Sequence, residues 1–185
     1  MTWQAYQPAA LLIGIPLAVA FLLPFINILF GKRKFVPTFV GVGLALFQLL
    51  FGFLVVLPKA MDKPIFVFMS GFKPPLGIAL WIDVFGAGLS MLLWFIALAA
   101  FIYNLSYLHV HDEMRFIILT MLMVTGATGV SLTNDLFNMY VFLEIASISA
   151  YALVNAYRTA ETAEASMKYL ILACFRSFCS PVRID

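Results

Sequence analysis

Glu144 stands about 10 residues from either end of Asn134–Arg158, NDLFNMYVFLEIASISAYALVNAYR, a stretch long and apolar enough to cross a bilayer. A charged carboxylate near the midplane costs on the order of 3 kcal/mol, so it is held by a partner, a water cavity or an ion path. At about 100° per residue, Tyr140, Glu144, Ser147, Tyr151, Asn155 and Arg158 fall within roughly 80° of one another. Val141, Phe142, Ile145, Ala152 and Leu153 dominate the other side, interrupted by Asn138 and Ser149. A polar stripe from mid-membrane to one aqueous end is what a proton or cation half-channel needs, and it is expected to face inward. The competing structural reading is a hydrogen-bond network that joins helices.

Other residues offer less. Asp83 opens an apolar segment, where an acid caps a helix N-terminus. His109 and His111 are two apart, so a helix points them to different sides, and they read as interfacial residues rather than metal ligands. Gly126 and Gly129, with Thr125 and Thr128, suit close helix packing, with a water path beside the next helix as the alternative. Cys174 and Cys179 fit neither a zinc nor an iron–sulfur site without further ligands. No catalytic residue, metal site or cofactor is expected, and any redox chemistry belongs to partners.

The elements that position Glu144 follow from composition. With 64% hydrophobic and 11% charged residues, the chain is an integral membrane protein, and its net charge of +2 gives no nucleic-acid signal. One membrane domain over 1–185 is expected. It has spans at 10–30, 35–57, 83–107, 116–133 and 135–157, and a partial sixth at 162–180. The N-terminus lacks the basic run of a cleaved signal peptide. Pro16 and Pro24 are tolerated within a membrane helix. Residues 58–82 differ: IFVFMS and LGIALWI flank GFKPP and predict a β-hairpin on the membrane surface. The short turn Thr133–Asp135, with Asn134 or Asp135 as N-cap, makes the fourth and fifth spans antiparallel neighbours.

The sixth span begins as ASMKYLILA but continues as CFRSFCSPVRID, so residues 174–185 form an anomalous tail. The composition change predicts truncation or a frameshift rather than a half-span buried against other subunits. Basic residues set the orientation. Lys32, Arg33, Lys34, Arg115, Arg158 and Lys168 fall on one side and Lys59, Lys63 and Lys73 on the other. That excess predicts an outside N-terminus in the cell membrane and a stripe opening to the cytoplasm.

Three ordered motifs carry a resemblance: GFKPPLGIALWIDVFGAGLSML, TNDLFNMYVFLEIASISAYALV and AEASMKYLILA. From Ile65 to about Ala173 the chain resembles the antiporter-like family. That family includes the L, M and N subunits of complex I, the D-type subunits of Mrp antiporters, and subunits of archaeal membrane-bound hydrogenases and sulfur reductases. The resemblance implies a longer fold of about fourteen helices built from inverted five-helix repeats. It implies that Glu144 is a proton-pathway acid and that Lys168 is the lysine opening the following helix. The family's central lysine, on a broken helix further on, has no counterpart within these residues. A lysine moving toward or away from Glu144 would load and release a proton. Helix arithmetic leaves Lys168 about 10 Å from Glu144 in depth, suited to a water-linked relay.

The expected fold is therefore an all-α polytopic membrane protein with five full helices, a partial sixth and a surface β-hairpin between the second and third. The expected function is a truncated, ion-translocating (H⁺ or Na⁺) antiporter-like subunit of a redox-driven respiratory complex. Glu144, Lys168, Tyr140, Ser147 and Tyr151 are the pathway candidates. Expected partners are other membrane subunits of an oxidoreductase complex, the bilayer, and a separate chain supplying the downstream helices. The alternative is a non-conducting scaffold subunit of such a complex; a stand-alone transporter fits less well.

Overall fold

The computed structural model describes residues 7–29, 35–68, 79–106, 113–155 and 159–179. A 3-10 turn at Gln7–Ala10 leads into α1 (Leu11–Leu29). There follow α2 (Phe35–Phe51), a π turn (Gly52–Val56) and α3 (Leu57–Asp62). Strands β1 (Ile65–Phe68) and β2 (Ala79–Ile82) come next. Then α4 (Val84–Ser106), α5 (Glu113–Leu132), α6 (Leu136–Val154) and α7 (Ala160–Cys179) complete the order. Among the described residues, five segments are long and apolar enough to cross a membrane: Leu11–Leu29, Val36–Asp62, Val84–Asn104, Glu113–Leu132 and Leu136–Val154. The architecture is a polytopic helical membrane fold with a small two-stranded sheet.

The second segment is longer than expected. Its helix passes Pro58 and ends at Asp62, whereas the sequence reading placed the start of the hairpin region at residue 58. Proline lacks an N–H and its ring crowds the carbonyl four residues back. The π turn immediately before it widens the backbone, with Leu57 N–H donating to the Gly52 carbonyl five residues earlier. Pro58 then falls in the first turn of α3, where its missing donor is harmless.

The strands pair antiparallel, Ile65 with Ile82 through Phe68 with Ala79, and are shorter than the flanking apolar runs. The expected turn at GFKPP lies outside the described residues. Ile65, Val67, Leu80 and Ile82 are buried among Ala9, Leu12, Ile13, Val56, Ala60, Ala87, Leu132 and Phe142. The hairpin thus closes the end of the bundle where α1 and α4 begin and α5 ends. A second core lies toward the other end, built from Ala20, Leu23, Leu44, Ala45, Trp94, Ala97, Phe101, Ile117, Met121 and Val124. Leu29, Phe25, Phe39, Phe85 and Phe95 point outward and are exposed, as lipid-facing side chains of a membrane bundle are.

α7 is continuous for 20 residues, through the stretch after Ala173 where the composition changes. Its N-terminus carries a reciprocal cap. Thr162 N–H donates to Thr159 Oγ1 at 3.2 Å, and Thr159 N–H donates to Thr162 Oγ1 at 2.9 Å. Residues 180–185 lie outside the described residues.

Candidate functional site

The site is built on α6, and α6 is set by its entry turn. Asp135 is its N-cap, the Oδ1 accepting from Phe137 N–H at 3.1 Å. Asn138 Nδ2 donates to Thr133 Oγ1 at 2.9 Å, tying the first turn of α6 back to the chain leaving α5. The hairpin holds the same turn: Leu80 bridges Thr133, and Asn134 N–H donates to the Ala79 carbonyl at 3.4 Å. Asp83 caps α4 beside it, its Oδ1 accepting from Gly86 N–H at 2.7 Å.

Two glycines bring α5 and α6 together. A Cβ on Gly126 would lie 2.8 Å from both the Ala146 nitrogen and the Phe142 carbonyl oxygen. A Cβ on Gly129 would overlap the Phe142 ring. These are small-residue contacts of the kind that pack membrane helices. The hydroxyls of Thr125 and Thr128 donate back to the carbonyls of Met121 and Val124, at 2.6 and 2.8 Å. These bonds lie within α5 itself.

Docking through Phe142 and Ala146 decides which way Glu144 points. The buried residues of α6 are Asn138, Phe142, Ser149 and Tyr151. Glu144 is exposed, Tyr140 is 45% exposed and Ser147 is half-buried. The stripe expected to face inward therefore faces away from the other described helices over its upper half. In the most apolar window of α5 50% is buried, against 22% for α6, so α6 is packed on one side and open on the other. Among the described residues Glu144 has no hydrogen-bond or ion-pair partner.

The lower half of the stripe turns into the α6–α7 junction. Tyr151 is 6% exposed and stacks edge-on against Tyr169, ring centroids 5.2 Å apart. Ser166 Oγ donates to the Tyr151 carbonyl at 2.9 Å, and Thr162 Oγ1 donates to Asn155 Oδ1 at 3.3 Å. Arg158, His109 and His111 lie outside the described residues. Lys168 is on α7, where its Nζ pairs with Glu164 at 2.6 Å with both side chains about two-thirds exposed. The sequence reading missed Ser166, Tyr169 and Glu164; the i,i+4 spacing of Glu164 and Lys168 was the available signal for the last.

Chemically, α6 presents a carboxylate between a phenol and a hydroxyl on one open face. Such groups can exchange protons or coordinate a small cation through oxygen. Residues 133–179 match the family model described as NADH:quinone oxidoreductase/Mrp antiporter, TM. That range contains the whole of α6 with its cap and α7. The N subunit of NADH-quinone oxidoreductase from Desulforudis audaxviator is 42% identical over 115 residues, covering 58% of this chain and 23% of that protein. The D-type subunit of the Na(+)/H(+) antiporter from Bacillus subtilis is 33% identical over 104 residues, covering 56% of this chain and 21% of that protein. A chain in the structure of a membrane-bound sulfane sulfur reductase, an archaeal respiratory membrane complex, superposes with a TM-score of 0.82 at 35% identity. That match covers 90% of this chain and 34% of the other. A chain of the Mrp complex from Dietzia sp. shares the fold, with a TM-score of 0.78, 20% identity, and coverage of 92% and 32%. This chain thus spans about a third or less of the length of these relatives.

Proposed function

We propose that this chain, an antiporter-like membrane chain related to the N subunit of NADH-quinone oxidoreductase and the D-type subunit of Na(+)/H(+) antiporters, forms one wall of a proton or sodium path whose ion-carrying group is Glu144. One observation carries the proposal. Glu144 stands mid-helix on the face of α6 that the other described helices leave open, while the opposite face is locked to α5. A carboxylate at that depth against lipid is costly, so further helices and water cover it. Those helices belong to the rest of the fold, supplied in the same polypeptide or by a separate chain. Tyr140 and Ser147 extend the path one turn to either side of Glu144, and Tyr151 marks its lower end at the α6–α7 junction. Lys168, held by Glu164, is a charge that can be released toward the path when the pair opens; an exposed pair of this kind is worth only about 0.3–0.5 kcal/mol.

The chain works in this proposal beside other membrane subunits of a respiratory complex, in the cell membrane, with its N-terminus outside. The orientation rests on the excess of Lys32, Arg33, Lys34, Arg115 and Arg158 over Lys59, Lys63 and Lys73. The deciding experiment is Glu144→Gln in the assembled complex. Ion pumping is expected to be abolished while the complex still assembles. Normal pumping would rule the carrier role out.

A second reading, a non-conducting scaffold, is favoured by the contacts of Tyr151, whose ring meets Tyr169 and whose carbonyl accepts from Ser166; these join helices rather than line a path. Impaired assembly of the Gln variant, with no specific loss of transport per assembled complex, would select the scaffold.

A further inference from the structure

The seam between α2 and α4 is apolar at most levels, yet it buries polar atoms that its own helices do not satisfy. Gln48 and Trp94 are each 1% exposed. Gln48 Nε2 donates to the Leu11 carbonyl at 3.4 Å, but its Oε1 has no partner among the described residues. Trp94 Nε1 has none either.

The helix register brings these two together. A Cβ on Gly52 would lie 3.3 Å from Met91, and one on Gly41 would lie 3.4 Å from the Phe101 ring. Further along, Asn104 Nδ2 donates to Thr38 Oγ1 at 3.4 Å. As one number rises the other falls by nearly the same amount, which is an antiparallel register. It sets Gln48 level with Trp94. One is an unpaired acceptor and the other an unpaired donor, in a part of the bundle lined by Leu44, Ala45 and Ala97.

We propose that Gln48 and Trp94 hold an ordered internal water in the α2–α4 seam, bridging Trp94 Nε1–H to Gln48 Oε1. Water is the ligand that matches: it accepts from the indole and donates to the amide oxygen, and it can use its second donor elsewhere in the seam. A cation does not match, because the indole N–H points a partial positive charge at it and among the described residues no carboxylate of α2 or α4 stands at this level to balance the charge. Leaving both groups unpaired in a dry core costs more than immobilising one water. Soluble and membrane cores alike meet buried polar groups this way. Below the site, Phe101 and Ile117 close on Gly41, the Ile117 methyl 3.1 Å from where a Cβ would sit. That apolar layer separates the water from the aqueous end near Asn104. The site is thus distinct from the Glu144 face and stabilises the leading helices without conducting.

The test is a cryo-electron map of the chain in its complex, at a resolution where ordered water is visible. A peak within hydrogen-bonding distance of both Trp94 Nε1 and Gln48 Oε1 is expected. It should be lost in Gln48→Leu and in Trp94→Phe. A direct Gln48–Trp94 bond with no peak between them would overturn the proposal, as would a peak that survives Gln48→Leu unchanged. A peak whose height tracks added sodium or potassium would also overturn it. The unsubstituted protein decides the matter even if neither variant folds.

Discussion

Glu144 and Lys168 are the two charged residues proposed to take part in the ion path, and their surroundings differ. Lys168 has an ion-pair partner on its own helix, while Glu144 has none among the described residues and stands on the open face of α6. That Glu144 would lie mid-helix was legible from sequence, because depth follows from counting residues along an apolar run. Its direction was not. A polar stripe looks inward by default, but the face that meets α5 is chosen by Gly126 and Gly129, on a different helix. Their contacts with Phe142 and Ala146 rotate the stripe away. Tyr151 was harder still, since its burial depends on Tyr169, eighteen positions on and beyond a turn.

At the scale of elements, the α5–α6 pair is the rigid support of the site. A Cβ on Gly126 would first meet two α6 backbone atoms, whereas one on Gly129 would first meet the Phe142 ring. Gly126→Ala and Gly129→Ala are therefore expected to differ. Each should destabilise by about 1–3 kcal/mol, the cost of overpacking a tight contact. Phe142→Leu should recover part of the loss for Gly129→Ala and none for Gly126→Ala, because a smaller side chain cannot move the α6 backbone. Thermal midpoints of the purified complexes would check this, and equal rescue of both would contradict the packing described here. The cap at Asp83 was readable from sequence, since an acid just before an apolar run has one local task; the second cap was narrowed to Asn134 or Asp135, and it is Asp135. The extension of the second span past Pro58 was not, because a proline normally ends a helix and the π turn that accommodates it leaves no residue signature.

For the whole molecule, the five-span architecture followed from apolar run lengths, and the hairpin from alternation between turn residues. What alternation could not give was the hairpin's place over the end of the bundle, where it bonds the α5–α6 turn. Topology is a property of this scale. With the N-terminus outside, a cysteine in place of Lys73 should react with an impermeant reagent added from outside, and one in place of Lys32 should not. The reverse pattern would turn the chain over and send the proposed path to the other side.

The central claim is that further protein and water cover the open face of α6 at Glu144. The most direct measurement is the collision accessibility of a spin label on Glu144→Cys in the assembled complex, compared with Phe95→Cys on the exposed surface of α4 at mid-helix. The claim predicts that the label at 144 meets a water-soluble paramagnetic reagent readily and membrane-dissolved oxygen poorly, while the label at 95 meets oxygen freely. Oxygen accessibility at 144 equal to that at 95, with no access for the water-soluble reagent, would place Glu144 against lipid and contradict it.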